Sequence, residues 1–469
     1  MPVAHKITSL FLLIGVAFVT VNAQQPNIIK EWLTDPASFV FFTKQPPSFF
    51  VKKNEKGVKP VIVVDDTKKF QSMDGFGFAL TGGSASHIIK MNASARTALL
   101  KELFATDKNN IGTSYLRLSI GASDLNEYVF SYDDLPAGQT DTGMVHFDLG
   151  PDKKDVIPVL KKILAINPTI KILGSPWSPP VWMKDNNDTK GGSLQPKFFD
   201  AYAKYFVRYI KEMRKQGIRI DAVTVQNEPL HPGNNPSLLM LAPDQAVFVK
   251  NHLGPAFRKA DLDTKIIIYD HNADKPEYAV SILDDPDAKK YIDGTAFHLY
   301  GGKIEALSKV HEAYPDKNIY FTEQWVGAPG SFTNDIPDHI EKLIIGASRN
   351  WSRTVIEWNL AADENQNPHT NRGGCVGCLG AVTITKDTVT RNPAYYIIAH
   401  AAKFVRPGSV RIASNIVEGL PNVAFQTPGG KIVLIVLNTS LKAKIFTIAY
   451  KEATATVSMP AGAVATYIW

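Results

Sequence analysis

A (β/α)8 barrel, α/β in class, with an antiparallel β-sandwich built from both chain ends is the fold that this 469-residue sequence predicts. Three observations carry the expectation. From about residue 70, short apolar runs alternate with amphipathic ones, eight times over. Beyond residue 400 the helical period stops, and short β-prone runs separated by turn residues take its place. Two of the eight apolar runs end abruptly in a glutamate, Glu228 and Glu323.

The eight strand candidates are residues 72–80, 113–120, 170–175, 221–227, 265–270, 293–299, 318–323 and 352–359. Small and β-branched apolar residues fill them, as buried parallel strands require. Amphipathic stretches such as 200–216 and 337–350 lie between them and suit the outer helices. Eight repeats match the barrel; a doubly wound open sheet is the poorer alternative. In the C-terminal part, runs at 410–412, 423–425, 431–437, 444–448 and 464–468 read as sandwich strands. The β-prone runs at 39–43, 48–51 and 61–64 are expected to complete the same small domain. The expected division is therefore a leader at 1–23, a sandwich segment at 24–66, the barrel at 67–399 and the rest of the sandwich at 400–469.

The leader follows from its pattern. His5 and Lys6 precede an apolar run from Ile7 to Val21, and Val21-Asn22-Ala23 offers small residues for cleavage before Gln24. The run is short for a spanning helix, no cysteine follows it, and no later stretch is long and apolar enough to span a bilayer. Export to the periplasm or the medium is the expectation, as a monomer. Hydrophobic residues make up 44% and charged residues 20%, with a net charge of +6, and no basic cluster points to nucleic acid. The two cysteines, Cys375 and Cys378, lie in GGCVGCLG. No second pair or spaced histidines complete a zinc site, so a disulfide pinning a Gly-rich loop is favoured over a redox motif.

Chemistry gathers at the strand ends. In TVQNEP a buried strand runs straight into Asn227, Glu228 and a proline that cannot extend the ladder. The run NIYFTEQW ends likewise in Glu323, with Trp325 two residues on. Arg117 and Asp124 belong to the second unit, Trp177 and Trp182 to the loop after the third, Asp270-His271-Asn272 to the fifth, His298 and Tyr300 to the sixth, and Glu357-Trp358-Asn359 to the eighth. Singly, each has a plain reading: Arg117 as an ion-pair partner, His298 as a satisfied barrel histidine, the tryptophans as core. Together they suit a polyhydroxylated ligand, whose C–H faces stack on rings while its hydroxyls take fixed donors and acceptors. Two glutamates in such a cleft suggest glycoside hydrolysis, with Glu228 as acid, its pKa raised by the charge of Glu323, and Glu323 as ionised nucleophile. No metal and no cofactor is expected, since His231, His271 and His298 show no paired ligand spacing.

TVQNEP, GSPWSPPVWMK, YLRLSIGASDL, FHLY and YFTEQW together resemble glycoside hydrolase family 30, the family of lysosomal glucosylceramidase and microbial β-1,6-glucanases, over nearly the whole chain after the leader. The resemblance implies the barrel-plus-sandwich fold, retaining chemistry, acid/base Glu228 and nucleophile Glu323. It also implies that Arg117, Asp124, Trp177, Asn227, His298, Tyr300 and Trp358 line the glycone subsite. Trp325 is expected to help hold the glucosyl ring, with His271 and the GGCVGCLG loop on the leaving-group side. That loop is similar to the β-1,6-glucanase branch and departs from the Gly-Gly-Pro-Asn stretch of glucosylceramidases. The expected function is retaining hydrolysis of β-glucosidic linkages in β-1,6-glucan. An exo-acting glucosylceramidase or β-glucosidase, a xylan-acting relative, and a carbohydrate-binding protein on a disabled barrel are the alternatives.

Overall fold

The computed structural model describes residues 28–52 and 58–469, together with Met1 and Val3; the expected leader lies outside the described residues. Eight parallel strands close into a barrel. They are β1 (Gly75–Leu80), β2 (Tyr115–Ser119), β3 (Lys171–Ser175), β4 (Ala222–Thr224), β5 (Lys265–Ala273), β6 (Ile292–Gly302), β7 (Asn318–Glu323) and β8 (Ser352–Glu357). Every expected strand is present, in cyclic order, with β8 pairing β1 to close the ring. Closure brings β1 hard against β2: a side chain at Gly77 would put its Cβ 1.8 Å from the Tyr115 carbonyl oxygen.

Inside the ring, Tyr115, Leu173, Ala222, Ile267, Ala296, Tyr320 and Ile356 form one buried apolar cluster, one residue from each of β2 to β8. Side chains along a strand alternate, so the residue two further on from each returns to the same face. Those residues are Arg117, Ser175, Thr224, Tyr269, His298, Thr322 and Trp358. The barrel thus changes from apolar to polar within one layer, at the carboxyl ends of its strands. At β5 the alternation is broken. The register with β6 slips between Tyr269 and His271, and Tyr269 and Asp270 take φ of 72° and 63°. The extra residue brings Asp270 into the layer where Tyr269 would have been.

The small domain is an eleven-stranded sheet, hydrogen-bonded throughout, assembled from both ends of the chain. Ile28–Asp35 pairs with Val464–Ile468, and Val61–Ser72 pairs with Val410–Ser414, so the N-terminal part of the sheet reaches Ser72. Pairing is antiparallel except between Val61–Ser72 and Lys444–Tyr450, which run parallel. A strand at Ala453–Met459, ATATVSM, has no counterpart among the expected ones; its alanines and threonines give too weak an alternation to mark it. The strand Ile432–Leu437 is buried throughout, because Ile432, Leu434 and Val436 face the sandwich core while Val433, Ile435 and Leu437 join the barrel's helical shell. Arg349 reinforces that apolar seam, donating to the carbonyls of Asn422 and Ser414 at 2.5 and 3.0 Å. Among the described residues no helix is long and apolar enough to cross a membrane.

Candidate active site

Glu228 follows β4, with a left-handed φ of 45° and its N–H donated to the Asp270 carbonyl at 2.9 Å. A non-glycine residue held there costs about 1–3 kcal/mol, so the surrounding bonds must enforce it. Asn227 is fixed beside it by a main-chain bond of the same kind, its N–H donated to the Pro176 carbonyl at 2.8 Å. Glu323 is the last residue of β7. Carboxylate oxygens of the two glutamates, with a ring nitrogen of His298, all lie within 4.8 Å of one another. The strand ends therefore do bring the two carboxylates together.

Arg117 and Asp270 hold the floor. Arg117 Nη1 donates to Glu323 Oε2 at 2.5 Å, and Nη2 donates to Asp270 Oδ2 at 2.8 Å and Asn227 Oδ1 at 2.7 Å. Asp270 Oδ2 also accepts from Ser175 Oγ at 2.8 Å and Thr224 Oγ1 at 2.7 Å, while its Oδ1 accepts from Thr322 Oγ1 at 2.6 Å and faces His298 Nε2 at 3.2 Å. Tyr300 Oη donates to Glu323 Oε1 at 2.9 Å, so both oxygens of Glu323 have a donor. Glu228 is held more loosely, by Asn234 Nδ2 at 3.2 Å and His298 Nδ1 at 3.3 Å.

The charges follow from these contacts. Burial opposes ionisation of His298, but Glu323, Asp270 and Glu228 together push it up to about 9, so its imidazole is cationic at neutral pH. Burial also works against Asp270, yet Arg117 and His298 hold it well below the ordinary carboxylate range. Burial, then the charges of Glu323 and Glu228, push Asp124 up to about 8, leaving it a neutral acid with Oδ1 unpartnered. His271 is driven down to about 4, chiefly by burial, and stays neutral with Nδ1 4.0 Å from Glu228 Oε1.

The glutamates themselves depart from the sequence-based expectation. Against burial, His298 holds Glu228 below its usual range, whereas burial pushes Glu323 up in spite of His298 and Arg117. The repulsion of Glu323 is not the deciding influence on Glu228 in the free site. The protonated His298 is, and it stands nearer Glu228 than Glu323, at 3.3 against 3.7 Å. The two carboxylates titrate as a unit with it. A metal ion between Glu228, His298 and Glu323 would have to displace that imidazole proton and compete with Arg117.

Trp177 and Trp358 stack on each other at 5.3 Å, and the Arg117 guanidinium lies 4.9 Å from the Trp177 ring centre. Both rings are nearly buried, so one part of their work is to clamp Arg117. Trp325 keeps a partly open face. A disulfide joins Cys375 and Cys378, and Cys378 packs with Ala79, Leu125, Trp177 and Trp358. The GGCVGCLG loop thus abuts the aromatic wall itself, beside the expected glycone residues and not apart from them. It also touches the segment after Glu228: Gly373 is tight against Gly233, Asn234 and Asn235.

The closed barrel and the sheet domain beside it have counterparts in known sequences. The family description "Glycosyl hydrolase family 30 TIM-barrel domain" matches residues 73–405, and "Glycosyl hydrolase family 30 beta sandwich domain" matches residues 408–467. The chain belongs to glycosyl hydrolase family 30. It is a glycoside hydrolase by that membership. Endo-1,6-beta-D-glucanase neg1 of Aspergillus fumigatus is 33% identical over 405 residues, 81% of each chain. Lysosomal acid glucosylceramidase of Mus musculus is 30% identical over 453 residues, 89% of this chain and 85% of that one. The solved structure titled "The endo-beta1,6-glucanase BT3312" superposes with a TM-score of 0.86 at 34% identity, over 94% of this chain and 99% of that one.

Within this family 30 site, sequence reasoning named Asp270 as a strand end without giving it a role, and passed over Ser175, Thr224, Thr322 and Asn234. Three of these carry a usable signal, since Ser175, Thr224 and Thr322 stand two residues beyond an inward apolar residue of their strand. Asp270 does not, because the slip in β5 puts it out of phase.

Proposed function

We propose that this chain hydrolyses β-1,6-linked glucan with retention of configuration, Glu323 acting as nucleophile and Glu228 as acid/base. The observation that carries the chemistry is the approach of the two carboxylates to within 4.8 Å. Retaining pairs stand about 5–5.5 Å apart, whereas inverting pairs leave about 6.5–9.5 Å for a water. The roles rest on how each carboxylate is held. Glu323, with Arg117 on one oxygen and Tyr300 on the other, is aimed and immobile, as attack on C1 demands. Glu228, with longer and partly neutral contacts, is the one free to exchange a proton with a departing oxygen. In the first step Glu323 bonds to C1 while the C1–O bond breaks and Glu228 gives its proton to the leaving oxygen. In the second, Glu228 takes a proton from water, the water oxygen bonds to C1, and Glu323 leaves as carboxylate. The proton that Glu228 takes from that water restores its starting state. Neutral Asp124, Asn227, His271 and the open face of Trp325 are suited to hydroxyls and ring faces of the sugar.

The linkage is supported by the relatives named as endo-1,6-β-glucanases and by the loop surface. The stretches 184–192 and 363–374, rich in Asp, Asn, Lys and Gly, contribute none of the exposed large apolar side chains, whereas a lipid aglycone would call for an apolar rim. We propose further that the protein is exported as a monomer after cleavage near Ala23, which N-terminal sequencing of the secreted form and its elution on gel filtration would check. The substrate is tested by kcat/KM measured side by side on β-1,6-glucan and on glucosylceramide in matched detergent. A preference for the glucan of more than about tenfold, or about 1.4 kcal/mol in transition-state binding, is expected. Equal or better turnover of the glycolipid overturns the assignment of linkage and leaves the glutamate pair untouched.

A further inference from the structure

Outside the barrel mouth, one acidic side chain stands out for what it lacks. Asp133 lies in the long segment between β2 and the helix Val156–Ile166, and is 1% exposed. Neither of its carboxylate oxygens has a hydrogen-bond partner. Its neighbours are all provided for. Tyr132 Oη donates to Asp152 at 2.6 Å, and Asp134 accepts from the N–H and hydroxyl of Ser131 at 2.8 and 2.6 Å. Asp133 is also fixed in place through its own main chain, its carbonyl accepting from Trp182 Nε1 at 2.9 Å and its N–H reaching Ser131 Oγ at 3.2 Å. A buried carboxylate with no donor is costly and rarely kept without a partner.

Its open side faces two further ligand groups. A carboxylate oxygen of Asp133, one of Asp141 and a ring nitrogen of His146 all lie within 4.8 Å of one another. Asp141 is itself buried; its Oδ1 accepts from the Gly143 N–H at 3.1 Å, and its Oδ2 accepts from the His146 N–H at 2.7 Å and lies 3.1 Å from His146 Nδ1. Among the described residues no lysine or arginine pairs with Asp133 or Asp141. His146 is largely solvent-exposed, with 68% of its side chain open, which leaves a path for an ion and room for water ligands.

We infer that Asp133, Asp141 and His146 form a divalent-cation site, separate from the proposed catalytic pair, that cross-links this segment to itself beside the loop after β3. Two carboxylates and an imidazole are the donor set favoured by borderline ions such as Zn2+ or Mn2+ over the all-oxygen preference of Ca2+ and Mg2+. The ion supplies the positive charge that both acids lack. It acts on a working surface, because Val129, Phe130, Ser131 and Asp134, next to the site, line a cavity of about 560 Å³ together with Pro179 and Trp182 of the loop after β3. Trp182, through its bond to the Asp133 carbonyl, ties that loop to the same site.

The test uses the full secreted chain after chelator treatment. Zn2+, Mn2+, Ca2+ and Mg2+ are titrated separately by calorimetry, with thermal unfolding followed in each. Saturable binding of one Zn2+ or Mn2+ per chain is expected, with a rise in the unfolding midpoint. His146→Ala, at an exposed position that leaves folding intact, should weaken it at least tenfold. Asp133→Asn, close to isosteric, should abolish both the binding and the thermal shift. Both variants should retain kcat on an aryl β-glucoside within about twofold. No saturable binding of any of the four ions, binding that both variants keep unchanged, or Ca2+ binding indifferent to His146→Ala would each overturn the assignment.

Discussion

Replacing Glu323 and Glu228 in turn by glutamine tests the two proposed roles, and the contacts of each side chain set the scale of the expected loss. Glu323→Gln removes the atom that bonds to C1 and leaves Arg117 with Asp270 as its one remaining carboxylate. No other side chain can take its place, so turnover should fall by roughly 10⁵-fold or more on every substrate, as when other nucleophiles are deleted. Glu228→Gln keeps the hydrogen bonds to Asn234 and His298 within reach and removes only a proton donor. General acid catalysis supplies about 10²–10⁴-fold, or about 3–5.5 kcal/mol, so polymer hydrolysis should fall by that range. A dinitrophenyl glucoside needs no proton for departure, so its first step should be nearly unaffected. The glycosyl-enzyme then waits for a base that is missing. Azide, which needs no base, should restore turnover severalfold and yield a β-glycosyl azide. Stopped-flow release of dinitrophenolate and product analysis by NMR provide the readout, with circular dichroism confirming that both variants fold. Equal failure of the two variants on the activated glycoside, or azide rescue confined to Glu323→Gln, would show the roles reversed.

Two further outcomes follow from the same contacts. His298 has its folded-state pKa raised from 6.5 to about 9, so its protonation contributes stability that is fully present below about pH 6.5 and lost as pH rises through about 9. Unfolding free energies from urea titration of wild type and His298→Asn should therefore differ by up to about 3 kcal/mol at pH 6 and draw together above pH 9; a gap that widens with pH would refute the charged imidazole. Cys378→Ser opens a very short disulfide loop, so global stability should change by about 1–2 kcal/mol at most. Cys378 packs on Trp177 and Trp358, however, so activity on polymer should fall more than the unfolding midpoint does. Two free thiols by mass spectrometry of protein purified without reductant would end that reading.

The barrel was legible because each of its strands is a short, nearly continuous apolar run that ends in a change of chemistry, and parallel strands buried on both faces leave that trace. The glutamates were legible for the same reason. What escaped was phase. Thr224 and Thr322 read as ordinary strand threonines, and only the alternation counted from Ala222 and Tyr320 shows that they point at Asp270. The electrostatics escaped as well: a pairwise argument between Glu228 and Glu323 omits His298, whose position between them depends on strand order around a closed ring. In the sandwich, Ile432–Leu437 was plain from its unbroken hydrophobicity, while Ala453–Met459, made of small and polar residues, was not.

Asp270 explains why the site tolerates so many buried charges. Three carboxylates, Glu228, Glu323 and Asp270, face two cations, Arg117 and His298, with Asp124 held neutral. When Glu228 carries a proton this set sums to zero; with Glu228 ionised, the form that His298 favours in the free site, it stands at minus one. In the proposed reaction, delivering that proton to the departing oxygen leaves the protein side at minus one, at the moment when the sugar ring becomes oxocarbenium-like and positive. The transition state is thus the point at which protein and substrate charges cancel, without any side chain having to move. Without Asp270 the two glutamates would only balance the two cations at that moment, and no negative charge would be left to offset the ring. Its carboxylate accepts from Arg117, Ser175, Thr224 and Thr322 and faces His298, which leaves it occupied by the scaffold and fixed in place. The slip in β5 that brings it into the layer is therefore as much a part of the proposed mechanism as the two glutamates it balances.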